Sequence, residues 1–136
     1  MSGTVVRHPS SQRERSLVLL IEDNLTQLDL YTMVLSEQCV VVTATRGETG
    51  YELACSEQPD AIVMDVLLPD VNGLALCKRL RANPSTASIP VIVLTGDNVA
   101  YARAQLVRSE LTGVLLKPCP ADRLLSAVRQ SVERRS

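Results

Sequence analysis

Five short apolar runs divide the chain from Leu17 onward, and polar segments separate them. The runs are Leu17–Ile21, Cys39–Thr43, Ala61–Met64, Pro90–Leu94 and Gly113–Leu116. They are rich in Val, Ile and Leu and do not alternate with polar residues, which is typical of strands buried on both faces of a parallel sheet. Residues 1–16 are polar and aperiodic, and we interpret them as a flexible tail before a domain over 17–133, with 134–136 as a C-terminal end.

The segments between the runs place apolar residues at helical spacing. The first opens at Asn24, with Gln27 three residues on, which is the capping-box pattern of a helix N-terminus. In the first, third and last helices, the residues predicted to face the core are Leu25, Leu28, Tyr31 and Leu35; Leu74, Cys77 and Leu80; and Ala121, Leu124, Leu125, Val128 and Val132. Five strands that alternate with five helices predict a doubly wound α/β domain of the (βα)5 type.

Composition then removes several classes of function. The chain has no Phe and no Trp, and its three Tyr are Tyr31, Tyr51 and Tyr101, so the core must be aliphatic and the composition argues against recognition by base stacking. A balance of 14 Lys+Arg against 15 Asp+Glu argues against direct nucleic-acid binding. The single His, His8, removes Ser-His-Asp triads and His-ligated zinc from consideration.

The cysteine and hydropathy patterns indicate a compartment. The chain has four cysteines, Cys39, Cys55, Cys77 and Cys119. They show no CxxC spacing and stand among apolar neighbours or beside prolines, so we interpret them as buried, reduced thiols. No run approaches the ~20 apolar residues of a membrane span, and the N-terminus has no signal-peptide pattern. We therefore expect a cytoplasmic protein with no membrane partner.

Polar side chains follow four of the five predicted strands. They are Glu22 and Asp23 after the first strand, Asp65 after the third, Thr95 and Gly96 after the fourth, and Lys117 after the fifth. In open α/β sheets, ligands bind beyond the carboxyl ends of the strands. Any one of these residues has an ordinary explanation as a turn or cap residue, but the fold brings three carboxylates, a hydroxyl and an ammonium to one place.

This combination predicts phosphoryl chemistry assisted by Mg²⁺. Crowded carboxylates repel one another unless a cation lies among them, and hard oxygen ligands suit Mg²⁺. Asp65, on the central strand, is the candidate nucleophile that would form an aspartyl phosphate. Lys117 and Thr95 would balance the charge on the phosphoryl oxygens, and the backbone N–H groups around Gly96 would add a donor.

The residues stand in motifs that resemble the receiver domain of bacterial two-component response regulators, the chemotaxis-regulator-like (CheY-like) fold. The resemblance runs from about Ser16 to Glu133. Its motifs are Glu22-Asp23 in LLIEDN, the block DVLLPDVNG from Asp65 to Gly73, the segment IPVIVLTG from Ile89 to Gly96, and Lys117-Pro118. It implies a flavodoxin-like fold, with a five-stranded parallel sheet in the order 2-1-3-4-5 and helices on both faces.

The resemblance also implies a role for each site residue. Asp65 would accept a phosphoryl group from a histidine on a sensor histidine kinase or a histidine phosphotransfer protein. The implied Mg²⁺ ligands are Glu22, Asp23, Asp65 and the backbone carbonyl of Leu67. The implied phosphate-binding residues are Thr95, Gly96 and Lys117. The Lys117–Pro118 peptide bond is expected to be cis.

Two positions depart from the family pattern, and both concern signal output. The family usually has Tyr or Phe where this chain has Val114, and Phe where it has Cys119. In the family, phosphorylation acts through the face made by helix four, strand five and helix five, toward a downstream protein, an output domain or a second copy in a homodimer. Tyr101 is the only ring expected near that face, and we interpret it as a half-buried packing residue.

Two alternatives remain open. The domain could be an interaction module that signals without phosphorylation, which Val114 and Cys119 favour. It could instead be a Mg²⁺-dependent phosphatase with an aspartyl nucleophile, but such enzymes commonly need a second acid where this chain has Leu67. We therefore expect no enzyme activity beyond self-phosphorylation and slow self-dephosphorylation. Leu67 and Asp97 flank the route of water to the phosphoryl group, and an apolar Leu67 predicts a long-lived phosphorylated form.

Overall fold

Five parallel strands form a single sheet in the order β2-β1-β3-β4-β5 in the computed structural model, which describes residues 15–135. The strands are β1 (Ser16–Ile21), β2 (Cys39–Ala44), β3 (Ala61–Met64), β4 (Val91–Thr95) and β5 (Gly113–Leu116). The helices are α1 (Leu25–Ser36), α2 (Gly47–Glu57), α3 (Gly73–Ala82), α4 (Asn98–Leu106) and α5 (Ala121–Arg135), with a short 3-10 turn at Arg108–Glu110. The predicted fold class and strand order are confirmed.

The helices cover both faces of the sheet, so the core has two halves. Helices α2, α3 and α4 pack on one face, against side chains such as Ile62 and Met64. Helices α1 and α5 pack on the other, against side chains such as Val63 and Leu94. All four residues of β3 are completely buried, because this central strand lies between two helical layers. The core is aliphatic apart from Tyr31, the one buried aromatic side chain among the described residues.

The ends of the domain differ slightly from the sequence boundaries. Residues 1–14 of the expected flexible tail lie outside the described residues. Ser16 belongs to β1, where it pairs with Cys39, and the Arg15 side chain donates a hydrogen bond to the Ser36 carbonyl (2.9 Å). Helix α5 continues to Arg135, into the segment expected to be a separate C-terminal end. None of the helices within residues 15–135 has the length and apolarity that a membrane span requires.

Two details of the helix predictions are wrong. Asn24 caps α1 by accepting a hydrogen bond from the Gln27 N–H (3.0 Å), but the Asn24 N–H donates to Glu22 Oε2 (3.1 Å) instead of to the Gln27 side chain. The capping box is therefore only half formed. Leu25 and Ala121 were expected to face the core but are exposed. Each is the first residue of its helix and lies beyond the carboxyl edge of the sheet, where the sheet does not cover its side chain.

The thiols follow the sequence prediction with one exception. Cys39, Cys77 and Cys119 are buried and unpaired by disulfides, whereas Cys55 is only half-buried. Burial raises the pKa of the three buried thiols, which keeps them protonated and unreactive.

Candidate functional site

An open pocket of about 340 Å³ lies at the carboxyl edge of the sheet. It contains every residue predicted to bind metal or phosphate, namely Glu22, Asp23, Asp65, Leu67, Thr95, Gly96 and Lys117. Asn24, Gln27 and Asp97 complete the lining. Four strand ends and the loops that follow them thus converge as the parallel topology predicts.

Lys117 lies between two buried carboxylates at the floor of the pocket. Its Nζ donates to Glu22 Oε1 (2.5 Å) and to Asp65 Oδ2 (3.1 Å). Only 3% of Glu22 and 9% of Asp65 is exposed, so both acids need this compensating charge. With one ammonium between two carboxylates, the cluster favours a further cation.

The pKa values reflect this arrangement. Burial raises the pKa of Glu22, although the hydrogen bonds from Lys117 and the Asn24 N–H act in the opposite direction. Burial also acts to lower the pKa of Lys117, but the Glu22 hydrogen bond and the charges of Asp65 and Glu22 outweigh it and raise the pKa above its ordinary value. Lys117 therefore remains an ammonium at neutral pH.

Asp65 is fixed by backbone contacts on both sides. Its N–H donates to the Ile21 carbonyl (3.1 Å), and its Oδ1 accepts from the Leu67 N–H (3.2 Å). The start of α3 packs directly on this strand end. A Cβ added at Gly73 would lie 2.6 Å from the Asp65 carbonyl oxygen and 2.8 Å from Val66 Cα, so only glycine fits there.

The groups after β4 and β5 form the opposite wall. Thr95 is completely buried, and its Oγ1 accepts a hydrogen bond from the Asp97 N–H (3.3 Å). The Lys117 N–H donates to the Thr95 carbonyl (2.8 Å), which ties the two strand ends together. The Lys117–Pro118 peptide bond is cis. Gly96 is exposed, which leaves its backbone open to the pocket.

The predicted metal ligands lie around the same pocket but do not form a complete coordination set. Within residues 15–135, no three acidic, His or Cys side chains are grouped closely enough to hold a metal ion. Asp23 is exposed, while Glu22 and Asp65 both pair with Lys117. The donors available, carboxylate and carbonyl oxygens in an open and hydrated pocket, are nevertheless the type that fits Mg²⁺.

The three residues predicted as a switch region do not form one cluster. Val114 is half-buried on the sheet face covered by α2, α3 and α4, whereas Cys119 is buried on the opposite face. Tyr101 is half-buried on α4. The sheet separates Val114 from Cys119, so these two positions cannot act together through direct contact.

Tyr31 is a residue that the sequence assigned only to the core. Its ring centroid lies 5.9 Å from Lys117 Nζ, and its hydroxyl accepts a hydrogen bond from the Cys119 N–H (3.4 Å). The helical spacing of α1 predicted that Tyr31 is buried, but nothing in the sequence connected it with the loop after β5. That contact follows from α1 and the β5–α5 loop lying on the same face of the sheet.

The fold and this cluster are those of a receiver domain. The response regulator receiver domain family matches residues 18–129, and the chain belongs to that family. Over 118 residues it is 35% identical to the DNA-binding dual master transcriptional regulator RpaA of Synechocystis, covering 86% of this chain but 49% of that protein. The chain therefore spans about half the length of that curated relative.

Solved structures agree with this assignment. A putative response regulator from Chloroflexus aurantiacus is 30% identical, with a TM-score of 0.80 that covers 88% of this chain and 99% of that chain. The receiver domain of a sensor histidine kinase from Pseudomonas aeruginosa has the same fold, with a TM-score of 0.80 at 23% identity over 88% of this chain and 98% of that chain. That structure has a magnesium ion coordinated in its active site cleft.

Proposed function

We propose that Asp65 is the phosphoacceptor of this receiver domain and takes its phosphoryl group from a phosphohistidine on a sensor kinase or phosphotransfer protein. An Asp65 carboxylate oxygen attacks phosphorus, the P–N bond breaks, and the electron pair stays on the imidazole nitrogen of the donor. The product is an acyl phosphate on Asp65. The observation that carries this proposal is the buried ion pairing of Lys117 with both Asp65 and Glu22 at the pocket floor.

The same pocket provides the groups that the reaction needs. The residues that would hold Mg²⁺ are Glu22, Asp23, Asp65 and the Leu67 carbonyl. When bound, the ion would neutralise charge on the phosphoryl oxygens and on the crowded carboxylates. Lys117 carries a mobile ammonium that can follow the negative charge from the carboxylates to the phosphoryl group. The Thr95 hydroxyl and the Gly96 N–H would donate hydrogen bonds to it.

The pocket rim favours a protein donor. Leu67 belongs to the pocket lining and is 51% exposed, and Leu25, which directly follows Asn24 of the lining in the chain, is 66% exposed. Exposed apolar side chains at the mouth of a polar pocket suit contact with a protein surface. Leu67 also occupies the position from which an acid would protonate a leaving group, so turnover on free phosphomonoesters is expected to be negligible.

Phosphorylation with a small donor tests the assignment. The protein is incubated with phosphoramidate or acetyl phosphate plus Mg²⁺, and intact-mass spectrometry is expected to detect one added phosphoryl group. Asp65→Asn should show none, whereas Asp122→Asn, which changes an exposed acid on α5, should show the same adduct as the parent. No adduct on the parent protein, or an adduct that persists in Asp65→Asn, would reject Asp65 as the acceptor.

Leu67 should also prolong the lifetime of the phosphorylated form. It is half-exposed at the pocket mouth, where an apolar side chain cannot orient an attacking water. Leu67→Asn would place a hydrogen-bonding amide there that can orient a water, and loss of the adduct should become faster by up to about 10²-fold. Decay of the intact-mass adduct after donor removal measures this, and equal lifetimes in the two proteins would contradict it.

The output surface is proposed to be the face made by α4, β5 and α5. A groove of about 500 Å³ runs there between β5 and α5, and Leu106 and Leu116 are exposed beside β5. A downstream protein, an output domain or a second copy of the chain would bind this face. Sedimentation of the phosphorylated and unphosphorylated protein tests the homodimer, which requires a larger species in the phosphorylated sample.

A phosphorylation-independent interaction module is the second candidate. It is favoured by Val114 and Cys119, which stand where the family usually has aromatic residues. This hypothesis predicts no adduct in the intact-mass experiment and a Mg²⁺ dissociation constant far above millimolar.

A further inference from the structure

The loop from Asp65 to Gly73 is held at two places. At its base, Leu67 and Asn72 form an isolated antiparallel bridge, and the Gly73 N–H donates to the Val66 carbonyl (2.7 Å). At its tip, Asp70 reaches across to the start of α2. Asp70 Oδ1 accepts from the Gly47 N–H (2.8 Å), and Oδ2 accepts from the Glu48 N–H (2.9 Å).

Asp70 thereby caps α2, whose own N-cap residue does not provide a capping side chain. Arg46 occupies the N-cap position of α2, and it provides no side-chain hydrogen bond to the helix. The first turn of any helix has N–H groups without partners, and a carboxylate there is stabilised by the helix dipole. The hydrogen bonds from the Glu48 and Gly47 N–H groups lower the pKa of Asp70, so it is ionised at neutral pH.

The loop and α2 also touch directly. A Cβ added at Gly47 would lie 2.2 Å from Val71 Cγ2, so the helix backbone approaches the loop as closely as a glycine allows. Val71 and Leu68 pack against the core cluster beneath α2 and α3. On the outer side, the Arg79 guanidinium forms an ion pair with Glu48 and lies 4.3 Å from the centroid of the Tyr51 ring. The loop is therefore anchored to α2 beyond its own backbone bridge.

We propose that Asp70 is a positioning residue for phosphoryl transfer: by anchoring the loop tip on α2, it holds the Asp65 carboxylate and the Leu67 carbonyl in place before metal and donor bind. The inference rests on the proposed function of Asp65. Asp70 touches neither the metal position nor the donor, so its effect passes through the loop. Groups that hydrogen-bond a metal ligand directly change metal affinity by about 10-fold to 100-fold, and the effect of Asp70 is expected at the lower end because it acts through the loop.

A variant in which α2 provides its own N-cap distinguishes positioning of the loop from simple stabilisation of the helix. Asp70→Ala removes both the cap and the anchor. The double variant Arg46→Ser with Asp70→Ala supplies a local cap, since residue 46 already has the extended conformation of an N-cap (φ −134°, ψ 150°), but it leaves the loop unanchored. Arg46→Ser alone is the matched control.

Three measurements are made on each protein: the thermal midpoint, the Mg²⁺ dissociation constant by calorimetry, and amide hydrogen exchange over residues 66–72. Asp70→Ala is expected to lower the midpoint, weaken Mg²⁺ binding about 10-fold and speed exchange in the loop. The double variant should regain the midpoint while Mg²⁺ binding stays weak and loop exchange stays fast. Arg46→Ser should match the parent in all three.

The outcomes that overturn the inference are distinct from those that overturn the proposed function. Unchanged loop exchange in Asp70→Ala, or full recovery of exchange and Mg²⁺ affinity in the double variant, would reduce Asp70 to a helix cap. A parent protein that takes no phosphoryl group would instead reject Asp65 as the acceptor. Loop exchange needs neither metal nor donor, so it decides the anchoring role in either case.

Discussion

The loops after β3 and β4 both lead from a buried strand end into a capped helix, yet they are anchored very differently. The first carries Asp65, is bridged at its base and is bound at its tip by α2. The second consists of Gly96 and Asp97 and leads into α4, which buries only Ala100 and Ala104. Helix α3, by contrast, buries Leu76, Cys77 and Leu80.

This difference separates a fixed part of the site from one that can move. The acceptor Asp65 and one proposed metal ligand, the Leu67 carbonyl, lie on the well-anchored loop. The proposed hydrogen-bond donors to the phosphoryl group are Thr95 and Gly96. They lead into α4, a helix with little buried apolar area, and such segments open at low free-energy cost. A phosphoryl group would thus form on an Asp65 carboxylate that is already held in place, and it would act on α4, which can move. This response would not need an aromatic ring where the chain has Val114.

The largest predicted effect comes from adding one methyl group to each loop. Gly73→Ala forces a Cβ against the Asp65 carbonyl and the Val66 backbone, neither of which can move aside, and should cost about 3 kcal/mol. Gly96→Ala is the matched control, because its Cβ would meet only the Lys117 side chain at an ordinary 3.6 Å. Urea unfolding of both variants measures the difference. Equal losses in the two would contradict the unequal anchoring.

A smaller effect is predicted for the two helix caps. Asn72 Oδ1 accepts from the Leu74 N–H and Asp97 Oδ1 accepts from the Ala100 N–H, both at 2.8 Å, so either change to Ala should cost about 1 kcal/mol. The locations of the loss should differ. Asp97→Ala should speed amide exchange throughout α4, whereas Asn72→Ala should lower the global midpoint with little local exchange in α3.

That contrast has its own control in Asp97→Asn, which retains a capping side chain. Its α4 exchange should stay close to that of the parent. If Asn72→Ala opened α3 as readily as Asp97→Ala opened α4, the two helices would be equally well held and the comparison would fail.

The sequence predicted the sheet and the contents of the pocket, and missed how the pocket is held. Buried strands leave long apolar runs, and parallel strands bring their carboxyl ends together, so Asp65 and Lys117 were expected to meet. Asp70 is different. Its partners, the N–H groups of Gly47 and Glu48, are backbone atoms 23 and 22 residues away, and they leave no mark on residue type. The contact of Tyr31 was missed for the same reason, because its partner is the backbone N–H of Cys119.

The smallest predicted effect extends the comparison to the third loop, after β5. Tyr31→Phe keeps the ring beside Lys117 but removes the hydroxyl that accepts the Cys119 N–H, a long bond at 3.4 Å worth about 0.5 kcal/mol. Tyr101→Phe is the control, because the Tyr101 hydroxyl makes no hydrogen bond within the described residues, and it should be neutral. Chemical unfolding compares the two. If this loop depends on Tyr31, amide exchange at Cys119 should also rise in Tyr31→Phe alone. An unchanged rate would mean that the backbone hydrogen bond from Lys117 to Thr95 holds the loop without it.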